Sequence, residues 1–97
     1  MTLTPRALIV TLGLALAPLP ASAACYADYR AGETGGTGLH YGVIEIPETA
    51  CSVEAAAPVI AQRLAAEGWQ LLQVISVFDD SGLDARRPDA GAYFLRF

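Results

Sequence analysis

From Leu39 onward the apolar positions change period twice, and each change predicts an element. Leu39 to Ile46 is dense in aromatic and β-branched residues and reads as a strand that Pro47 ends. Val53, Ala56, Ala57, Ile60, Ala61 and Leu64 then recur at helical spacing, with Gln62, Arg63 and Glu67 largely off that face. Ser52 stands where a helix cap is expected, and Glu54 suits the positive end of the helix dipole. Pro58 has no N–H to donate and disfavours an α conformation at Ala57, so an irregular first turn or a kink is expected there. Gly68 can take the left-handed conformation that stops a helix, which brings Trp69 back over Leu64. Trp69 to Phe78 follows as a strongly apolar strand. Under strict alternation one face carries Trp69, Leu71, Gln73, Ile75 and Val77, and the other Gln70, Leu72, Val74, Ser76 and Phe78. Asp79 to Gly91 reads as a charged loop. Ala92 to Phe97 reads as a closing strand, with Tyr93, Leu95 and Phe97 opposite Ala92, Phe94 and Arg96.

Upstream the pattern is different in kind. Arg6 precedes an unbroken apolar run from Ala7 to Ala17, Pro18 and Pro20 interrupt it, and Ala21-Ser22-Ala23 offers a small-residue cleavage site. This is the layout of a secretory leader over residues 1–23. A spanning helix needs about 20 apolar residues, and this run has 11 before the first proline, so a cleaved leader is preferred to a retained anchor. Cys25 lies where a lipidated cysteine would lie, but Ser22 stands where that signal normally has a leucine-like residue. The expected organisation is a leader at 1–23, an N-terminal segment at 24–38 with one cysteine and a glycine-rich loop, and a small domain at 39–97. The alanine-rich leader fits export to the periplasm of a Gram-negative bacterium, or secretion, with no stable membrane insertion after cleavage.

Export changes the meaning of the two cysteines. Cys25 and Cys51 are the whole complement, and in an oxidising compartment they form a structural disulfide. Closing that loop contributes about 3.5 kcal/mol in the chain-entropy model, a large share of the stability of a domain this small. A redox pair is typically spaced C-x-x-C, and no His, Cys or Met cluster completes a metal site.

The strands and helix together predict an α+β fold: a three- to four-stranded, mainly antiparallel sheet with one helix on a face, in a β-α-β-β core. Cys25 to Tyr29 is a further short strand. The strands show apolar residues on both faces, whereas one helix covers one. Either the N-terminal segment, with Tyr26 and Tyr29 tied down through Cys25, covers the second face, or another chain does.

At the helix-to-strand junction, Leu64-Ala65-Ala66-Glu67-Gly68-Trp69-Gln70-Leu71-Leu72 resembles the L-x-x-E-G-W-E-L-V signature of the family catalogued as domain of unknown function 4177. The order of elements from Leu39 to Phe97 is similar too. Gln70 departs from the usual glutamate, and the cysteines are not part of the pattern. The resemblance implies a small α+β fold and no established activity; Leu64, Gly68 and Trp69 are its structural motif.

Charge narrows the partners. Residues 24–97 carry ten carboxylates against five arginines and no lysine, a net charge of −5. That composition lacks the footprint of a phosphate-backbone binder, so no nucleic acid is expected. Gly32 to Gly38 has no following Lys-Ser/Thr and does not make a phosphate loop. His40, the single histidine, is a candidate general base only if a nucleophile and an orienting group stand beside it. Asp79, Asp80, Asp84 and Asp89 lack the spacing of a calcium loop, and Glu45 and Glu48 have Pro47 between them. No catalytic residue, metal or cofactor is assigned. The expected function is a small exported, non-enzymatic interaction module. It would bind itself or another protein through the second sheet face, with Leu72, Val74 and Phe78 as the contact residues. The alternatives are a small-ligand protein with a pocket between helix and sheet, and a hydrolase built on His40.

Overall fold

The N-terminal segment, one of two covers the sequence offered for the second face, is the middle strand of the sheet. In a computed structural model, which describes residues 24–97, Cys25–Glu33 forms the strand β1. It pairs antiparallel with β2 (Leu39–Ile46), from Cys25 opposite Ile46 to Gly32 opposite Leu39. Its other edge pairs antiparallel with β3 (Trp69–Phe78), giving the order β2-β1-β3. β2 and β3 therefore run in the same direction on either side of β1. Strands so related need a crossover, and α1 (Val53–Ala65) supplies it. The fold is α+β with a three-stranded antiparallel sheet; its chain order is β-β-α-β, which keeps the expected N-terminal strand and lacks the closing strand of the expected β-α-β-β core. The leader at 1–23 lies outside the described residues.

The glycine-rich stretch is the turn of the β1–β2 hairpin. Glu33 N–H donates to Gly38 O at 2.7 Å, and Gly35 takes a positive φ of 74° inside the turn. Odd-numbered residues of β1 face α1. Cys25, Ala27, Tyr29 and Ala31 join Ile44, Ile46, Ala56, Ile60, Leu64 and Val74 in one buried apolar cluster. The small Ala27 and Ala31 let the helix approach, and the Tyr29 ring occupies the space that Gly42 leaves. A Cβ at Gly42 would lie 2.6 Å from Tyr29 Cζ.

α1 forms as its spacing predicts. Ser52 Oγ accepts from Ala55 N–H at 3.0 Å, and Ala56, Ile60 and Leu64 are its buried stripe. Pro58, the sixth residue, lies inside a continuous helix, where it removes the one backbone bond that its own N–H would have made. Glu67 N–H returns to Leu64 O, Gly68 takes φ 86°, and Trp69 packs against the cluster that holds Leu64. Cys25 and Cys51 stand at disulfide distance, Cα atoms 6.0 Å apart, and tie the start of β1 to the turn before α1.

Two stretches differ from expectation. Asp79 to Gly91 is a 3-10 turn (Asp80–Gly82) followed by a second helix, α2 (Leu83–Ala90). Asp79 caps the turn through Ser81 N–H at 3.0 Å. Ala92 to Phe97 is not a ladder strand: a 3-10 turn (Gly91–Tyr93) leads to a single parallel bridge between Phe94 and Val43. The 3-10 turn before Phe94 and the positive φ of Leu95 (55°) after it end the extended backbone on both sides of that bridge.

Candidate functional site

Two β-bulges decide what β3 presents. The pairing runs Asp28–Ser76, then Tyr29–Val74, with Ile75 left over; it runs Arg30–Gln73, then Ala31–Leu71, with Leu72 left over. Each extra residue reverses the alternation after it. Trp69, Leu71, Val74 and Val77 consequently share the α1 side with their β1 partners, and Gln70, Gln73, Ser76 and Phe78 share the other. The trio Leu72, Val74 and Phe78 is thereby split. Val74 is buried in the core under α1, Phe78 lies on the second face, and Leu72 projects from a bulge.

The second face is closed in part by α2, through one carboxylate. Asp28 is 5% exposed. Its Oδ1 accepts from Ser76 Oγ at 2.7 Å, and its Oδ2 accepts from Tyr41 Oη at 2.9 Å and Arg86 Nε at 3.0 Å. Burial alone would raise the Asp28 pKa, but the three hydrogen bonds and the Arg86 charge outweigh it and hold the carboxyl below its ordinary value. Burial, and then the same carboxylate, pushes the Tyr41 phenol up to about 12. Arg86 also donates to Gly82 O at 2.8 Å and lies 3.8 Å over the Phe78 ring, which stacks on Tyr26. Phe78 is thus capped by a guanidinium.

α2 leaves the hairpin end of this face open. Leu39 and Leu72, 74% and 51% exposed, bracket Gly32: a Cβ there would sit 3.6 Å and 3.5 Å from their methyl carbons. With Arg30 and Tyr41 they line a concavity of about 380 Å³. No carboxylate lines it, and Arg30 makes no ion pair among the described residues. A larger hollow of about 410 Å³ lies between α1, the β2 edge and the C-terminal segment, with Glu45, Arg63, Leu95 and Phe97 on its walls.

His40 lies on the α1 side, opposite Ala31, in an aromatic cluster. Its Nε2 shares a 3.0 Å hydrogen bond with Tyr29 Oη, Tyr93 stacks on it at 3.7 Å, and Trp69 meets it edge-on at 4.4 Å. Burial, then the Arg96 charge, holds its pKa below the ordinary histidine value. Neither serine of β3 and its following turn reaches it: Ser76 is bonded to Asp28 and Ser81 to Asp79. Among the described residues no group of three or more His, Cys, Asp or Glu is placed to hold a metal ion. No helix among them is long and apolar enough to cross a membrane.

Sequence reasoning missed Asp28, Arg86, Leu39 and Arg30. An acidic residue in an apolar strand was the available signal for Asp28; nothing local marks its partner 58 positions away. No family model, curated protein or solved structure matches the chain.

Proposed function

We propose that this protein is an exported, non-enzymatic interaction module that docks a segment of another protein at the concavity formed by Arg30, Leu39, Tyr41 and Leu72. The partner segment carries an aliphatic side chain next to a carboxylate. The observation that carries this reading is the pairing of two strongly exposed leucines with an arginine that has no ion-pair partner among the described residues, in a concavity those residues line without a carboxylate, on a chain with ten of them. Apolar contact supplies affinity and the guanidinium selects sign. The free edge of β3 is a poorer docking line, because its two bulges interrupt a ladder. Export rests on the leader pattern, and kinship with domain of unknown function 4177 rests on Leu64, Gly68 and Trp69.

The test uses protein produced from the full chain and two labelled peptides, one alternating leucine with aspartate and one alternating leucine with lysine. Fluorescence anisotropy is expected to show preference for the aspartate peptide. Leu72→Asp and Arg30→Glu are each expected to weaken it about tenfold or more, the equivalent of about 1.4 kcal/mol. Equal binding of both peptides, or unchanged binding in folded Leu72→Asp, overturns the assignment. Stabilisation by small carboxylates alone, lost in Arg63→Gln, would favour the hollow beside α1 and the ligand-binding reading instead.

A further inference from the structure

The C-terminal segment is held to the sheet by few contacts, and His40 is the centre of them. The segment's single bridge to β2, Phe94–Val43, is made through the bond from Leu95 N–H to Val43 O at 2.8 Å. Leu95 makes that bond from a left-handed conformation (φ 55°), which a branched side chain rarely adopts. The remaining hold is aromatic. Tyr93 lies nearly parallel to the His40 ring, with 13° between their planes, and Phe97 lies 6.0 Å from it. Arg87, from α2, covers Phe94 at 4.2 Å.

His40 is poorly placed to carry a charge inside this packing. Its Nδ1 is buried and has no hydrogen-bond partner among the described residues, while Nε2 is committed to Tyr29. In the neutral ring one nitrogen carries the proton and the other a lone pair, so a single partner is tolerable. A second proton, taken from solvent, makes both nitrogens donors. Nε2–H must then donate to the Tyr29 oxygen, and Nδ1–H is left buried with no acceptor. The titratable and charged groups facing His40 are Tyr29 from β1 and Tyr93 and Arg96 from the C-terminal segment; β3 contributes the uncharged Trp69 ring. None is a carboxylate that would stabilise imidazolium, and Arg96 repels it. Withdrawal of residues 91–97 relieves both costs at once, since it admits water to Nδ1 and removes Arg96.

We propose that residues 91–97 form a strap that neutral His40 holds against β2 and protonated His40 releases, a pH-sensitive switch built into the fold. Release uncovers the outer edge of β2 and the Trp69 ring. The lowered pKa of His40 has the matching sign: the closed strap binds the proton less well than the open one. Each pH unit between the closed and open values therefore favours the open form about tenfold.

The chain contains a single histidine and a single tryptophan, so the readouts need no assignment by elimination. The His40 ring is titrated by NMR from about pH 7.5 to about pH 4.5, with Trp69 fluorescence and exchange protection of the Leu95 amide followed in parallel. The expected result is a His40 pKa below that of a free histidine, with Leu95 losing protection along the same titration while the β1–β2 ladder amides keep theirs. His40→Gln is expected to abolish the pH dependence at Leu95. Tyr93→Ala, which leaves the histidine in place, is expected to open the strap at neutral pH. Loss of protection at Leu95 and the ladder together would show global unfolding and overturn the proposal. So would an unchanged Leu95 amide while His40 gains its proton, or a His40 pKa at or above the free value.

Discussion

The two faces of this sheet are closed by different physics. Under α1 the contacts are apolar and continuous: Ala27, Tyr29, Ile44, Ile60, Leu64 and Val74 exclude water together, and burial of that area drives the packing. Under α2 the apolar contact is small, with Val43 and Ala90 buried, and beside it the Asp28 carboxylate gathers Ser76, Tyr41 and Arg86 from three separate elements. The first arrangement tolerates no gap, and its aliphatic side chains carry no titrating group; only His40 at its rim does. The second is directional and titratable, and it covers only what Arg86 can reach. The exposed Leu39 and Leu72 lie where that reach ends. An apolar helix can seal a face, whereas this short, charged helix covers one end of it and leaves the hairpin end open.

Substitutions can separate the two modes. Leu64→Ala removes a fully buried side chain from the α1 face and is expected to cost about 2–5 kcal/mol in urea denaturation. Arg86→Leu leaves the Asp28 charge buried without its cation; about 2 kcal/mol is expected, below the range for a wholly buried pair because Arg86 is partly exposed. Its loss should be accompanied by faster amide exchange in α2 while α1 stays protected. Equal loss of protection in both helices would mean that the two faces unfold as one unit.

Acid sharpens the contrast further. Asp28 has a lowered pKa in the folded state, so its contribution is present above its ordinary value of 3.8 and fades as pH falls below it. His40 is also lowered, but it is a base. Its neutral form favours the fold, so stability begins to fall as pH drops through 6.5, where the unfolded chain takes up the proton first. Stability measured by chemical denaturation should thus decline in two steps. His40→Gln should erase the upper one, and Asp28→Asn should shrink the lower one, to which Asp79, lowered by its hydrogen bonds from Ser81, also contributes. The smallest effect is expected at the open patch: Leu72→Asp should change stability by no more than about 0.5 kcal/mol. Val74→Asp, two residues away, should cost several times as much, because the bulge turns it into the core. Similar values for the two would contradict the bulged register.

That last pair shows why the candidate contacts were only partly legible. Reading β3 by strict alternation placed Leu72, Val74 and Phe78 together, and the bulges that separate them leave no local mark: no glycine or proline lies between Trp69 and Phe78. α2 was illegible for a related reason. Its positions are mostly polar, Gly82 and Pro88 read as loop, and its stability comes from Arg86 meeting a carboxylate on a distant strand. The closing strand was over-read. Its aromatics do pack inward at Tyr93 and Phe97, but the 3-10 turn before Phe94 and the positive φ at Leu95 confine its pairing to one bridge.

The sequence by itself determined the elements whose signals are local: the cap at Ser52, the stripe Ala56–Ile60–Leu64, the stop at Gly68 and the span of β3. Hydrophobic period and capping act within a few residues, so they can be read without knowing the neighbours. The tertiary structure alone decided that β1 lies at the centre of the sheet, that Gly42 makes room for Tyr29, and that Asp28 fastens α2. It also decided that His40 sits beneath the C-terminal segment. Strand order, register and buried polar pairing are set by which distant groups satisfy one another at the lowest cost of desolvation, and that competition has no period along the chain.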